Sequence, residues 1–439
     1  MEKKRMKRWK KIVIIAVAFL ALAGVLGGIV LNPYFLQTSQ NEPTLGYTET
    51  LTRAKALQDI NYVMWQLNKV HPACLRGTAA EFSEACERET ALLGETVTVN
   101  ELNGAIARIL SSMGDAHTSA FTRRNDTRYM LYTYENQSAG LRLTKINGMT
   151  LWELFQKNKG IYSYETEDYG FEQMTWRLSE DSGLALLGID INDGVTYTYE
   201  DAEGNEADFT YYAKDFVPYE EYAAYYDSVF GQGGATSFVY YEIDKENSIG
   251  VFTLTSCRYN GEYKAAVDSF FKEIKESGIE NIAVDVRGNG GGNSMVVNYF
   301  FRYLDADEYF TEGQRVRVGP FLFGNSEPSR KKNDKIDGLT FTGDLYLLTS
   351  ISSFSSAMMF AEYVKDNDLG TIVGEAPGND PSGYGDIATF MTPNAHIYFS
   401  VSIKDFTRAD KSKDGQLITP DIECESKDAL DKVYALIAA

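Results

Sequence analysis

The stretch Asn-Ile-Ala-Val-Asp-Val-Arg-Gly-Asn-Gly-Gly-Gly-Asn, residues 281–293, decides the fold. Its first part, Asn281 to Val286, is nearly all apolar, which is typical of a strand buried on both faces of a sheet. A glycine-rich turn from Arg287 to Asn293 follows, and a helix is predicted over Ser294 to Leu304. A strand that passes through such a turn into a helix indicates a βαβ unit.

The same alternation of strand and helix extends in both directions and covers residues 236–439. The predicted segments are the strands Ile249–Leu254, Asn281–Val286, Leu345–Thr349 and Thr371–Val373 and the helices Gly261–Lys275, Ser294–Leu304 and Ser355–Val364. Alternation of this kind predicts an α/β core with a parallel sheet.

Two further regions precede this core. Residues 51–122 are predicted to form an N-terminal helical region, because apolar residues such as Ile60, Val63 and Leu67 recur at spacings of three and four. Residues 123–235 are rich in tyrosine and threonine with short alternations, which predicts a β-rich insertion.

The N-terminus carries a membrane signal. Residues 1–11 contain seven basic side chains and form a basic flank, and residues 12–31 then run for twenty residues without a charge. A helix of that length spans about 30 Å, the thickness of a bilayer core. We expect a retained transmembrane anchor, with a cleaved signal peptide as the alternative. Residues 32–50, which are polar and contain Pro33 and Pro43, are predicted to form a linker.

Charge and cysteine content exclude several classes of protein. The net charge is −20, and the first eleven residues contribute +6, so the remainder carries −26. Such an acidic domain repels phosphate backbones, which argues against nucleic-acid binding. Four cysteines are too few for a disulfide scaffold, although Cys74 and Cys86 could pair in an oxidising compartment. No metal-ligand spacing is present, so neither a metal nor another cofactor is expected.

The glycine-rich turn has two interpretations. A nucleotide-binding turn is excluded, because the third glycine position of Gly-x-Gly-x-x-Gly holds Asn293 and no Gly-Lys-Ser/Thr follows. The turn is either a plain βα connection or a concavity whose backbone N–H groups bind a substrate oxygen, as an oxyanion hole requires.

A serine cluster, residues 352–356, lies in an equivalent place between a predicted strand and a helix. A serine there is commonly a helix N-cap. It can also be a nucleophile, since the positive end of the helix dipole favours the developing negative charge. Both turns follow the carboxyl ends of strands, so we expect them at the same edge of the sheet.

A serine nucleophile needs a base, and the chain has three histidines. His71 precedes a proline at a helix end and is interpreted as structural, and His396 is interpreted as a strand residue. His117 lies in the turn Gly-Asp-Ala-His-Thr that leaves a predicted helix. It is therefore the best candidate for the base.

Three stretches together resemble the C-terminal processing (tail-specific) peptidase family, in its branch related to the tricorn core protease. Asp-Ala-His-Thr at 115–118 is similar to the family's Asp-Gly-His-Thr motif. Asp-Val-Arg-Gly-Asn-Gly-Gly-Gly at 285–292 is similar to its oxyanion turn, and Phe-Ser-Ser-Ala at 354–357 to its nucleophile helix. The resemblance implies a crotonase/Clp-protease-like core and hydrolysis of protein or peptide substrates.

The resemblance also implies roles for single residues. Ser355 would attack the peptide carbonyl, and His117 would take its proton. The N–H groups of Gly291 or Gly290, together with that of Ser356, would bind the oxyanion.

The chain departs from the family pattern in two places. The family's serine–lysine branch has a lysine about twenty-five residues after the nucleophile, where this chain has Asp380, which favours a histidine base. The tricorn-like branch has a glutamate where this chain has Asp414. Asp414 is therefore either the third catalytic residue or a solvated loop aspartate.

Residues 141–149 resemble the strand and turn of a PDZ-like module, so the β-rich insertion is either PDZ-like or a segment that shapes the cleft. The prediction is a single-pass membrane serine endopeptidase with an extracytoplasmic catalytic domain. The alternatives are a catalytically inactive peptide-binding protein on the same scaffold and a crotonase-type acyl-thioester enzyme. The sequence leaves the oligomeric state open.

Overall fold

The computed structural model describes residues 2–35, 44–120, 126–131, 136, 139–230 and 237–438, and the side chains of residues 9–28 in the first of these ranges. Residues 36–43 of the predicted linker lie outside the described residues.

The described helices and strands follow one another along the whole chain. The helices are α1 (Glu2–Phe35), α2 (Arg53–Val70), α3 (Ala80–Leu92), α4 (Val99–Leu110), α5 (Leu151–Asn158), α6 (Glu167–Thr175), α7 (Asp181–Leu186), α8 (Tyr219–Phe230), α9 (Gly261–Ser277), α10 (Met295–Phe301), α11 (Ser356–Asp366) and α12 (Ala429–Ile437). The strands are β1 (Thr50–Thr52), β2 (Thr96–Thr98), β3 (Tyr129–Met130), β4 (Arg142–Ile146), β5 (Met149–Thr150), β6 (Val195–Glu200), β7 (Glu206–Tyr211), β8 (Phe216–Val217), β9 (Val239–Asp244), β10 (Ile249–Leu254), β11 (Asn281–Asp285), β12 (Glu308–Thr311), β13 (Gly313–Val318), β14 (Phe321–Asn325), β15 (Ser329–Lys332), β16 (Asp344–Thr349), β17 (Thr371–Gly374), β18 (Gly383–Met391), β19 (Tyr398–Thr407) and β20 (Ile422–Glu423).

The main sheet has six strands in the order β20-β17-β16-β11-β10-β9. Its strands run parallel except for β9, which pairs antiparallel with β10 at the edge. Helices α9, α10 and α11 cover one face around Phe252 and Phe300, and α12 covers the other around Leu348. Both faces are buried, as the apolar strand at 281–286 predicts, and the predicted α/β core is confirmed.

Strand and helix boundaries in this core follow the pattern closely. β10 coincides with the predicted strand. α10 ends at Phe301, three residues before the predicted end, because the chain turns there: the Tyr303 N–H donates to Phe300 O and the Leu304 N–H to Phe301 O, both at 3.0 Å.

A second sheet, in the order β14-β13-β19-β18, joins the N-terminal helices to the core region. The apolar faces of α2, α3 and α4 pack against β18 and β19 in one cluster, in which Ile60, Val63 and Leu102 meet Phe390 and Phe399. This packing matters for the site, because the segment that follows α4 is carried to the edge of β19.

The middle region contains a four-stranded antiparallel sheet in the order β5-β4-β6-β7, so the β-rich prediction is confirmed. Helices α5, α6 and α7 lie between its strands in sequence, and the tyrosine-threonine alternation did not indicate them. α5 begins at a capping box in which Thr150 Oγ1 accepts the Glu153 N–H at 3.2 Å and the Glu153 carboxylate accepts the Thr150 N–H at 3.0 Å. The PDZ-like interpretation stays a prediction.

Helix α1 contains a segment, Trp9–Gly28, that is long and apolar enough to span a bilayer. Its large apolar side chains, from Trp9 to Leu26, are exposed rather than packed on the domain. Length and composition are equally compatible with a membrane span and with a signal sequence.

The four cysteine thiols are free. Burial raises the pKa of both Cys74 and Cys86, the two residues that could pair in an oxidising compartment.

Candidate active site

The glycine turn and the serine turn follow two neighbouring parallel strands, β11 and β16, and contact each other directly. The Ser353 hydroxyl donates to Val286 O at 2.8 Å, and the Phe354 N–H donates to Asn289 O at 2.9 Å. Since Ser353 and Asn289 are both fully buried, these contacts fix the relative position of the two turns.

Ser355 lies immediately before α11 in an unusual backbone conformation, with φ +55° and ψ −119°. A residue other than glycine in a sparsely populated region costs about 1–3 kcal/mol and needs support from its surroundings. Support comes from Asn379, whose Oδ1 accepts the Ser355 N–H at 2.7 Å, and from the Met359 N–H, which donates to Ser355 O at 2.8 Å. A sharp turn of this kind between a strand and a helix exposes the serine hydroxyl.

A cavity of about 380 Å³ opens at Ser355. Residues from both turns, the base segment and the loop before β18 line it, including His117, Gly292, Ser355, Ser356, Asn379 and Ser382. The structure thus brings the predicted nucleophile and the predicted base into one cavity.

The glycine turn approaches Ser355 so closely that a side chain would not fit. A Cβ atom on Gly291 would lie 2.7 Å from both Ser355 Cβ and Phe354 O, and Gly291 has φ +93°. The Gly291 N–H, however, donates to Asn289 Oδ1 at 2.9 Å, and neither Gly290 nor Gly291 lines the cavity. Gly291 can therefore bind an oxyanion only if Asn289 releases its N–H.

Gly292 has a more favourable orientation. It forms a parallel bridge with Cys257, in which the Cys257 N–H donates to Gly291 O and Cys257 O accepts the Asn293 N–H. In a parallel bridge the N–H and C=O of the middle residue point away from the partner. The Gly292 C=O accepts the Ser356 hydroxyl at 2.9 Å, so this side of Gly292 faces the start of α11. Within the described part of the chain, the N–H groups of Gly292 and Ser356 donate to no acceptor.

The segment that contains His117 is held by β19. After α4 the chain passes through a short 3-10 helix, Ser111–Met113, and turns at Gly114, which has φ +68°. The Ser400 hydroxyl then donates to His117 O at 2.6 Å, and the Ser402 N–H donates to Thr118 Oγ1 at 3.0 Å. These bonds carry His117 from the helical region to the cavity.

The His117 ring lies against Phe354, the neighbour of Ser355, with ring centroids 4.6 Å apart. Both ring nitrogens are buried and, among the described residues, have no hydrogen-bond partner. Burial lowers the pKa of His117, while the charges of Asp115 and Asp386 oppose this effect. A lowered pKa keeps the imidazole neutral near pH 7, as a general base requires.

Asp115, two residues earlier, is a buried carboxylate that holds both sides of this turn. Its Oδ1 accepts the His117 N–H at 2.9 Å and lies 4.0 Å from His117 Nδ1. Its Oδ2 lies 3.1 Å from His71 Nε2. Since His71 Nδ1 accepts the Ala73 N–H, His71 donates to Asp115 through Nε2. Burial alone would raise the pKa of Asp115, but the hydrogen bond from His71 helps to hold it at about 2.

Glu165 connects the base segment to the loop before β18. Its Oε1 accepts the Ala116 N–H at 3.3 Å, and its Oε2 accepts the Asp380 N–H at 2.5 Å. Burial, followed by the charge of Asp115, raises the pKa of Glu165 well above its usual range.

Asp414 lies apart from the other predicted catalytic residues. It is exposed at the end of a 3-10 helix, Lys411–Lys413, and its Oδ1 accepts the Ser382 hydroxyl at 2.5 Å. Ser382 lines the cavity, but Asp414 does not. Any effect of Asp414 on His117 has to pass through an intermediate group.

Asp115, His117 and Glu165 could meet on a metal ion by distance alone, since one ligand atom from each lies within 4.8 Å of the others. Both oxygens of Asp115 and both of Glu165 already accept N–H donors. A metal would have to displace these bonds, so the donor set fits a hydrogen-bonded network better than a metal site.

Comparison with known proteins identifies the domain. Residues 248–424 match the model of peptidase family S41. The chain carries a peptidase family S41 domain. This is a serine peptidase domain, and it agrees with the resemblance to the C-terminal processing peptidases that the three motifs carry. No curated protein matches the chain.

Solved structures with the fold of the S41 domain extend the likeness beyond the matched residues. Mature CPAF complexed with lactacystin has 13% sequence identity and a TM-score of 0.61, over 88% of this chain and 98% of that one. The photosystem II D1 C-terminal processing protease has 12% identity and a TM-score of 0.48, over 88% of this chain and 98% of that one. At such low identity, the CPAF structure shows a shared fold alone.

Three residues of the S41 site were missed from the sequence: His71, Glu165 and Asn379. Their partners lie far away in the chain, Glu165 being 215 residues from Asp380 and His71 44 residues from Asp115. His71 was interpreted as structural because its own neighbourhood shows a helix end. Asn379 carried one weak signal, since it follows a strand, β17, in the same sheet.

Proposed function

We propose that this protein is a membrane-anchored serine endopeptidase in which Ser355 is the nucleophile and His117 the base. The observation that carries the proposal is the placement of Ser355. It sits in a strained turn at the start of α11, and its cavity also holds a buried histidine with free ring nitrogens. A catalytic pair often becomes hydrogen-bonded only when substrate binds, so the absence of a Ser355–His117 bond is compatible with this role.

The reaction follows from these positions. The Ser355 hydroxyl attacks the peptide carbonyl carbon as its proton passes to a ring nitrogen of His117. The Ser356 and Gly292 N–H groups bind the oxyanion, with the dipole of α11 adding to the field. His117 returns the proton to the leaving amine, and water then hydrolyses the acyl-enzyme by the same steps.

The test is hydrolysis of a quenched-fluorescent peptide library by the full-length protein in detergent. Wild type should cleave, and Ser355→Ala should not, with the two proteins unfolding at the same temperature. If Ser356→Ala or Ser353→Ala inactivates the protein and Ser355→Ala does not, the nucleophile is assigned wrongly.

A peptide-binding protein without turnover is the second candidate. The observation that favours it is the distance of Asp414 from the base, since Asp414 contacts Ser382 at the surface instead. Tight peptide binding with no product after prolonged incubation would support this candidate.

The membrane topology is part of the proposal. The apolar side chains of Trp9–Gly28 are exposed, and the basic residues precede or begin this segment. Basic flanks stay in the cytoplasm, which places the peptidase domain outside. Protease added to intact cells should remove the domain from about residue 33 onward. A mature N-terminus near Gly24, with the protein free in the medium, would show cleavage instead.

The proposed organisation comprises a basic flank (1–11), an anchor (12–31), a linker (32–50), a helical region that carries the base (51–122), an insertion (123–235) and the peptidase core (236–439). The helical region and β18–β19 share one apolar core, so we expect these two regions to fold together.

A further inference from the structure

The cavity beside Ser355 extends along α11. Met358, Met359 and Glu362 line it together with Ser355, or lie against it, at spacings of three, four and seven residues. These spacings put the four side chains on one face of the helix. With a rise of 1.5 Å per residue, Glu362 lies about 10 Å along the helix from the nucleophile.

Two carboxylates meet in this deeper part of the cavity. Glu362 is 1% exposed, and its Oε1 accepts the Ala409 N–H at 2.7 Å. Glu312, from the junction of β12 and β13, lines the cavity as well. Its Oε2 is buried and has no hydrogen-bond partner among the residues that the structure describes. An uncompensated carboxylate in such a place is destabilising, which indicates a binding site for a cation.

The pKa values agree with two carboxylates close together. Burial raises the pKa of Glu312 to about 7. Burial, followed by the charge of Glu312, raises the pKa of Glu362 well above its usual range.

The nearby cations of the protein are occupied elsewhere. Lys404 Nζ lies 2.8 Å from Asp386 Oδ2. Arg408 donates to both oxygens of Asp366 at 2.8 and 2.7 Å, and Lys331 Nζ donates to an asparagine, Asn298. Neither Arg408 nor Lys331 lines the cavity.

We propose that Glu312 and Glu362 form an acidic subsite that takes a lysine or arginine side chain flanking the scissile bond. This inference rests on the proposed peptidase function. A carbonyl in attack position lies about 3 Å from the serine oxygen, and an extended lysine side chain spans roughly 6 Å from Cα to the ammonium. The sum matches the position of Glu362. Met358 and Met359 contact the apolar stem, and the carboxylates bind the charged end.

The test uses peptides that differ at one position beside the scissile bond, carrying lysine, arginine, norleucine or glutamate. The full-length protein should cleave the lysine and arginine peptides about 10–100-fold faster in kcat/KM than the norleucine peptide, the range for a hydrogen bond to a charged group. Mass spectrometry of the products locates the bond that is cut. A preference for norleucine or glutamate would overturn the subsite.

Two isosteric variants, Glu312→Gln and Glu362→Gln, assign the preference to these residues. Each should lower kcat/KM for the lysine peptide about tenfold or more, while the norleucine value stays within about threefold. Glu276→Gln, which removes an equal charge from the exposed face of α9, should change neither value. Equal losses for all peptides would mean that the glutamates are structural, and the proposal would be wrong.

Binding of the same peptides to Ser355→Ala separates this inference from the proposed function. If wild type cleaves nothing but Ser355→Ala binds the lysine peptide more tightly than the norleucine peptide, the peptidase proposal fails and the subsite stands. If wild type cleaves and the variant shows no such binding preference, the subsite fails and the peptidase proposal stands.

Discussion

The side chain of Asn379 accepts the backbone N–H of Ser355 at 2.7 Å. The next residue, Asp380, donates its own N–H to Glu165 at 2.5 Å, and Glu165 also accepts the Ala116 N–H from the segment of the base. A short series of hydrogen bonds therefore runs from the backbone of the nucleophile to the backbone next to the base.

Asn379→Ala removes the acceptor that supports the strained turn at Ser355. A net hydrogen bond contributes about 1 kcal/mol, so we expect kcat to fall about tenfold with little change in KM. The measurement is steady-state kinetics on a cleaved peptide, with Asn192→Ala at an exposed turn as the control. A variant with wild-type kcat would show that Asn379 does not position the nucleophile.

Glu165→Gln tests the connection between the two segments through stability. Burial raises the pKa of Glu165 above its usual value of 4.5, so the folded state holds a proton more tightly than the unfolded state. The stability from this group is full below about pH 4.5 and is lost as pH rises through the folded-state pKa. Replacing the acid by a neutral amide should therefore raise the unfolding temperature, relative to wild type, more at pH 8 than at pH 4.5.

The control for this experiment is Glu220→Gln in the exposed first turn of α8, whose effect should be the same at both pH values. An effect of Glu165→Gln that does not change with pH would contradict the raised pKa.

The assignment of the base predicts a pH profile. Burial lowers the pKa of His117 below 6.5, and the neutral imidazole is the active form. We expect kcat/KM to rise with pH through an inflection below 6.5. His117→Ala should remove both the activity and the inflection, and Lys404→Ala should keep the shape of the profile. A wild-type inflection near pH 9 that Lys404→Ala abolishes would assign the lysine as the base.

Asp414 and Ser382 are expected to act as one unit. The Asp414 carboxylate accepts the Ser382 hydroxyl at 2.5 Å and lies outside the cavity that Ser382 lines. If Asp414 supports the base through Ser382, the two alanine variants should each lower turnover by about 10²-fold or more, and the double variant should add little. Additive effects, or full activity in Asp414→Ala, would exclude this role.

The fold was largely predictable because its core is written in local patterns. The apolar run at Asn281–Val286 can be satisfied only by a strand covered on both faces, and the structure covers it with α9–α11 and α12. The middle region was harder, since the pattern of tyrosine and threonine describes β6 but carries no information about the helices that precede it in the chain.

The candidate site was predictable where one residue carries the chemistry and not where a contact does. Ser355 and His117 stand out by residue type and by the turns around them. The Glu165 contacts depend on packing of the middle region against the core. The Gly291 N–H bond to Asn289 depends on a side-chain rotamer. Neither contact leaves a periodic trace in the sequence.

The most direct test of the account is covalent labelling of the full-length protein with a fluorophosphonate, followed by peptide mass spectrometry. We expect one adduct, on Ser355, which is absent in Ser355→Ala and forms about 10²–10⁴-fold more slowly in His117→Ala, the range for a lost general base. Labelling on another serine, or no labelling of a wild-type protein that cleaves peptides, would contradict the assignment of Ser355 as the nucleophile.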